Sequence, residues 1–128
     1  MAFEFSNYAV KLTRVASGDL SGSQYRFVKL GTTDTVVACA AATDIPIGIL
    51  QNAPTAGQEA EILIIGGSKL VAGEAMAIGG AVGIVANGRG AAANVTDEYT
   101  LGTTLSTAST AGDIITVVIN CANPVIRN

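Results

Sequence analysis

Histidine and tryptophan are absent from this chain of 128 residues, and aromatic residues make up only 5% of it. Without histidine, the commonest general base and metal ligand at neutral pH is missing. Serine and cysteine nucleophile systems that depend on histidine are therefore excluded. Because sugar-binding sites stack their ligands on tryptophan or tyrosine, the scarcity of large aromatics also argues against a carbohydrate site.

Charged residues are scarce as well: they form 13% of the chain, with a formal net charge of −3. The lysines and arginines are spread thinly, so no basic stripe exists to neutralise phosphates, and nucleic-acid binding is disfavoured. No apolar run is long enough to span a bilayer. The N-terminus lacks the basic start and sustained apolar core of a signal peptide. We therefore expect no nucleic-acid partner, no membrane partner and synthesis in a cytoplasm.

The two cysteines, Cys39 and Cys121, each lie in an apolar, strand-like setting. These surroundings favour a pair of small buried hydrophobic side chains. A disulfide would require Cα atoms within about 7 Å of each other, which the sequence leaves open. A metal site is disfavoured because no histidine can complete a ligand set. The sequence predicts neither a metal nor a cofactor.

What the chain does contain is aliphatic residues and glycine: hydrophobic residues form 49% of it, and there are 15 glycines. Short apolar runs alternate with turn signals, as in an all-β sandwich or barrel. We predict one all-β domain, a compact small barrel or sandwich of short strands and hairpins, with at most one short helix. Its predicted parts are an extended N-terminal arm (1–20), a β-rich body (21–122) and a C-terminal tail (123–128).

The clearest predicted hairpin occupies residues 47–65, with a turn that carries Pro54 and Gly57. Gly66 and Gly67 are predicted to break the apolar run, with a separate strand after them. Other predicted features are a hairpin over residues 24–40, one helical turn or a short strand within 73–80, a tight turn at Asn87-Gly88, and a last hairpin over 99–119.

A short sequence repeat links the first and last of these hairpins. Residues 55–58, Thr-Ala-Gly-Gln, are echoed by residues 110–113, Thr-Ala-Gly-Asp. Two explanations remain open: a weak internal repeat of a hairpin, or chance similarity in a chain rich in alanine, glycine and threonine.

Two motifs are candidates for a catalytic site. Glu59 and Glu61 lie two apart on a predicted strand and so share one face. They could bind a cation or act as an acid/base pair, although a solvated strand face is the more common explanation. The glycines of residues 79–83 lack the Lys-Ser/Thr pair and the strand–loop–helix setting of a phosphate loop. We find no catalytic constellation and predict that the protein is not an enzyme.

The N-terminal segment is the candidate binding element. Phe3, Phe5 and Tyr8 stand among polar neighbours, and such a segment docks either on its own body or on a partner. Together with Arg14, these three aromatic residues are the predicted partner contacts.

Most of the chain resembles the small capsid decoration (cement) proteins of tailed bacteriophages. The similarity is carried by residues 18–30, 42–54 and 57–62, and it continues through 71–75, 87–89 and 111–113. It lies in the order and composition of these blocks and includes no catalytic signature.

This resemblance implies a virion protein that binds the outer surface of an expanded icosahedral head. Its implied partners are the major capsid protein, whose subunits it would clamp together, and itself, as a homotrimer. Terminal arms in this family reach across the capsid lattice, which agrees with the choice of Phe3, Phe5 and Tyr8. The alternative function is a small β-domain that binds a carbohydrate or a host surface.

Overall fold

The computed structural model describes residues 5–94 and 98–126, with side chains described from residue 9 onward. The predicted all-β class is confirmed, and one 3₁₀ turn, Ala86–Gly88, accompanies the strands. The strands are β1 (Phe5–Ala16), β2 (Phe27–Leu30), β3 (Thr35–Ala38), β4 (Gly48–Leu50), β5 (Glu59–Val71), β6 (Ala81–Val85), β7 (Arg89–Ala92), β8 (Tyr99–Thr100), β9 (Gly102–Thr104), β10 (Ile114–Asn120) and β11 (Val125–Ile126).

The first five strands close into a ring, which we call barrel 1. The sheet runs in the order β1, β3, β2, β4, β5, and β5 then pairs antiparallel with β1. The β1–β3 contact is parallel, with Ala16 opposite Val36. The predicted arm, residues 1–20, therefore contains a strand that belongs to the sheet. The interior is apolar and buried; its residues are Ala16, Leu20, Val28, Val36, Leu50, Ala60 and Ile62.

A second ring, barrel 2, continues from the same sheet. Its order is β5, β10, β9, β6, β7. It closes where Ala72 forms a parallel bridge with Gly90 and the Gly73 N–H donates to the Gly90 carbonyl at 2.7 Å. Its interior includes Leu70, Val82 and Ile115, all buried. The predicted C-terminal hairpin is confirmed for β9 and β10, which pair antiparallel. Tyr99 and Thr100, predicted as the start of its first arm, pair instead with β11 in a separate two-stranded sheet.

β5 is shared by the two barrels and differs from the prediction. The strand does not end at Gly66 and Gly67 but runs unbroken from Glu59 to Val71. Gly66 has a φ of 135°, a conformation that glycine adopts at little cost, so the strand changes direction without losing its pairing. Its first half pairs with β1 and β4, and its second half pairs with β10.

The two barrels repeat one another, which settles the question that the sequence left open. The Gly57 N–H donates to the Ala16 carbonyl at 2.9 Å, and the Gly112 N–H donates to the Ala72 carbonyl at 2.8 Å. Both glycines have positive φ, 83° and 93°. In each barrel, the turn before the last strand thus forms a hydrogen bond with the C-terminal end of the first strand.

The repeat extends beyond the hairpin. The Gln51 N–H donates to the Glu61 carbonyl in barrel 1, and the Leu105 N–H donates to the Thr116 carbonyl in barrel 2. Ile62 lies opposite Leu50, as Val117 lies opposite Thr104. In this register β4 corresponds to β9, and the first half of β5 corresponds to β10. The repeated unit is a whole barrel.

Two smaller predictions have different outcomes. Asn87 and Gly88 form the expected tight turn, with φ of 66° and 71°. Residues 73–80 form neither a helical turn nor a strand; they are bends and turns with a single bridge from Met76 to Ala108. Glycine at both ends and the short length of this segment leave it too few hydrogen bonds for either element.

No helix long and apolar enough to cross a membrane occurs in residues 5–94 or 98–126.

Candidate functional site

The predicted contact residues are only partly visible. Phe3 lies outside the described residues, as do the side chains of Phe5 and Tyr8, whose backbones form part of β1. Arg14 is half-buried on the same strand, and its Nη1 donates to the Thr13 carbonyl at 3.2 Å. These four residues remain predicted contacts.

The paired carboxylates lie on a solvated face. Glu59 is exposed, and Glu61 forms an ion pair with Lys11 at 2.7 Å. The Lys11 side chain is 39% exposed and the Glu61 side chain is 45% exposed. Exposed pairs of this kind contribute little to stability. No group of three or more acidic or cysteine side chains in the described part of the chain could hold a metal ion.

The two cysteines are buried free thiols, as the sequence favoured. Burial raises the pKa of Cys39 to about 12, and the nearby Asp44 carboxylate adds to the effect. Burial likewise raises the pKa of Cys121 to about 12, with a smaller contribution from Cys39. Because the thiolate is the reactive form, both side chains are unreactive at neutral pH.

An open cleft of about 640 Å³ lies between barrel 1 and the segment that follows β10. It is lined by Lys29, Leu30, Thr43, Asp44, Ile45, Pro46, Ile47, Cys121, Ala122 and Pro124. Its polar element is an ion pair in which Lys29 Nζ donates to Asp44 Oδ1 at 2.9 Å. Asp44 Oδ2 also accepts the N–H groups of Ala40 at 2.7 Å and Ala41 at 3.1 Å. Asp44 therefore fixes the loop that forms one wall of the cleft.

These bonds predict a pH dependence of stability. The Lys29 hydrogen bond, followed by the Ala40 N–H, lowers the pKa of Asp44 from 3.8 to about 2. Since the folded pKa lies below the ordinary one, the stabilisation is present above about pH 4 and is lost as the pH falls through about 2. We expect Asp44→Ala to be less stable than wild type in urea at pH 6, and the difference to shrink at pH 2. Glu59→Ala, which removes an exposed carboxylate, is the control; an equal loss in both variants would contradict the prediction.

An uncharged apolar surface lies on the outside of barrel 2. It consists of Leu105, Ile114 and Val118, with exposed fractions of 40%, 47% and 41%, together with the exposed Thr103. We call it the β9–β10 face. Thr103 lies directly opposite Val118 across the two strands. Thr116, between Ile114 and Val118, is fully buried. The Leu105 N–H donates to the Thr116 carbonyl at 2.8 Å, so Leu105 lies beside the β10 segment that carries Ile114 and Val118.

Sequence reasoning missed the β9–β10 face, although the repeat carries a signal for it. The barrel 1 counterparts of Leu105 and Ile114 are Gln51 and Glu59, which are polar. Where an exposed strand position is polar in one barrel and aliphatic in the other, the aliphatic position indicates a surface that contacts something other than water. That comparison required the register between the two barrels, which only the structure supplied.

Comparison with known proteins shows likeness at the level of the fold. No family model matches the chain, and no curated protein matches it. Among solved structures, the N base of head fiber gp8.5 in bacteriophage phi29 is similar, with a TM-score of 0.68 and 18% sequence identity. The match covers 88% of this chain and 95% of that chain. The two proteins share the fold over almost their whole lengths.

Proposed function

We propose that this protein is a structural component of a bacteriophage head, which binds the outer surface of the icosahedral shell and stabilises contacts between major capsid subunits. In this role it acts as a homotrimer, it is found in the virion, and it performs no catalysis.

The proposal rests on the fold that this protein shares with the N base of the phi29 head fiber. The match between the two covers 95% of the head fiber chain. That protein is a head fiber of a bacteriophage. The sequence resemblance to capsid decoration proteins points to the same location and does not depend on the fold.

The architecture suits such a role. Two closed barrels that share β5 form a stiff body, because the long β5 ladder ties them together. Ring closure also leaves few free strand edges, and free edges are the usual sites of unwanted strand pairing. Many copies bound to one shell gain from multivalency, so each contact can be modest.

Addition of the purified protein to expanded heads that lack it tests the proposal. We expect saturable binding, visible by sedimentation and by electron microscopy, and a rise in the temperature at which the heads break open. A matched incubation with unexpanded heads serves as the control. Absence of binding to expanded heads would overturn the proposal.

A further inference from the structure

We infer that the β9–β10 face is the surface through which copies of this protein associate, with the face of each copy covered by a barrel of its neighbour around a symmetry axis. This deepens the proposed function by naming the trimer contact, and it rests on that proposal only for the number of copies.

The first argument is the composition of the face. Leu105, Ile114 and Val118 are large aliphatic residues that expose 40% to 47% of their surface. Leu105 directly follows β9, and its N–H donates to the carbonyl of Thr116, the β10 residue midway between Ile114 and Val118. The other exposed large hydrophobics of the described residues are Val10, Val15, Leu30, Ile45, Ile78, Val125 and Ile126. Lys69, the cation on the neighbouring strand, is held 5.3 Å from the centre of the Tyr25 ring.

The second argument comes from the same face of barrel 1. Leu63, the counterpart of Val118, is 2% exposed and belongs to the buried cluster that contains the interior of barrel 2. Gln51, the counterpart of Leu105, donates from Nε2 to Ser68 Oγ of the second half of β5 at 2.9 Å. In barrel 1, therefore, this face is covered in part by another barrel of the same fold. The equivalent cover for barrel 2 is a barrel of a second copy.

The third argument separates a second copy from a capsid subunit. Interfaces that form on synthesis and stay closed are more hydrophobic than those between proteins that first exist apart. A shell-binding surface must remain soluble until it meets the shell, which favours polar residues. An uncharged aliphatic face fits the permanent contact, and a head-to-tail contact that repeats around a closed rotation axis covers this face on every copy.

The repeat itself supplies variants for the test. Leu105→Gln and Ile114→Glu each introduce the residue that the corresponding position of barrel 1 already carries. Val10→Glu is the control, because Val10 is 49% exposed on β1 and lies outside the face. We expect wild type and Val10→Glu to be trimeric by light scattering and sedimentation equilibrium. We expect Ile114→Glu to be monomeric and Leu105→Gln to dissociate at a concentration at least about tenfold higher than wild type.

Protection of an introduced cysteine tests whether the face is covered in the assembly. Cys39 and Cys121 are buried, so a cysteine introduced at the exposed Thr103 reports on its own surroundings. We expect Thr103→Cys to react slowly with a maleimide reagent in the associated protein and rapidly after dilution below the dissociation concentration, and Val10→Cys to react rapidly at both concentrations. A folded monomeric wild type, unchanged assembly in both face variants, or equally rapid labelling of the two cysteine variants in the associated protein would overturn the inference.

These outcomes can be told apart from failure of the proposed function. If the isolated protein is monomeric yet binds expanded heads, the inference is wrong and the head-binding role stands. If it is trimeric through the β9–β10 face but does not bind heads, the inference stands and the proposed role is wrong.

Discussion

Replacement of Gly102 by alanine is expected to lower the melting temperature by about 10 °C. A Cβ at this position would overlap the Val118 carbonyl oxygen and lie 2.8 Å from the Ile119 Cα. Both are backbone atoms of β10, so no side-chain rotation relieves the contact, and β9 must move away from its partner. Overpacking of this kind costs about 3 kcal/mol, which corresponds to the stated shift for a chain of this size.

The matched control is Gly18→Ala. A Cβ added at Gly18 would meet no atom within 4 Å, and the φ of this residue is not positive. We expect its melting temperature to stay within about 2 °C of wild type, since surface substitutions away from special features have small effects. Thermal unfolding followed by circular dichroism measures both. Equal stability of Gly102→Ala and Gly18→Ala would show that β9 does not approach β10 as closely as described.

The repeat predicts the same requirement in barrel 1. A Cβ on Gly48 would overlap the Leu63 carbonyl oxygen and lie 2.7 Å from the Ile62 Cγ2. Gly48 and Gly102 occupy corresponding positions on β4 and β9, each pressed against the strand that follows it in its own barrel. The same short strand therefore needs glycine at the same place twice, for the same steric reason.

Replacement of Ile62 by alanine is expected to destabilise the whole chain by about 3 kcal/mol, in a single unfolding transition. Ile62 is fully buried inside barrel 1. Truncation of a buried isoleucine to alanine costs about 2 to 5 kcal/mol through lost burial and a residual cavity. β5 is a strand of both barrels. Unfolding of its first half with barrel 1 therefore also destabilises its second half, which barrel 2 needs. The two barrels should unfold together.

Calorimetry and urea unfolding with two spectroscopic probes test this prediction. Ile45→Ala is the control, since it removes the same atoms from a side chain that is 59% exposed, and it should change stability little. Two separate transitions in Ile62→Ala, with only one of them shifted, would mean that the barrels are independent units despite their common strand.

Local chemistry determined much of the fold from the sequence. The all-β class and the hairpins at residues 47–65 and 99–119 follow from period-two hydrophobicity bounded by turn residues. The turn at Asn87-Gly88 follows from the tolerance of these two residues for positive φ. The buried state of both cysteines follows from their aliphatic neighbours. Each of these features depends on residues a few positions apart.

Only the tertiary structure decided how these pieces close. Gly66 and Gly67 predict a strand end, yet pairing with β1 on one side and β10 on the other holds the backbone extended through them. Neighbouring strands, which lie far away in sequence, supply the hydrogen bonds that outweigh the local preference of glycine. The Ala72–Gly90 bridge that closes barrel 2 is likewise a contact between segments with no shared local signal.

The same distinction applies to the candidate surface. Leu63 and Val118 are similar aliphatic residues at corresponding strand positions, and nothing in their sequence neighbourhoods separates a buried side chain from an exposed one. Leu63 is 2% exposed because barrel 2 lies against it, whereas Val118 on β10 is 41% exposed. Burial is a property of what packs on a strand, and sequence alone indicates only that the strand is apolar on that side.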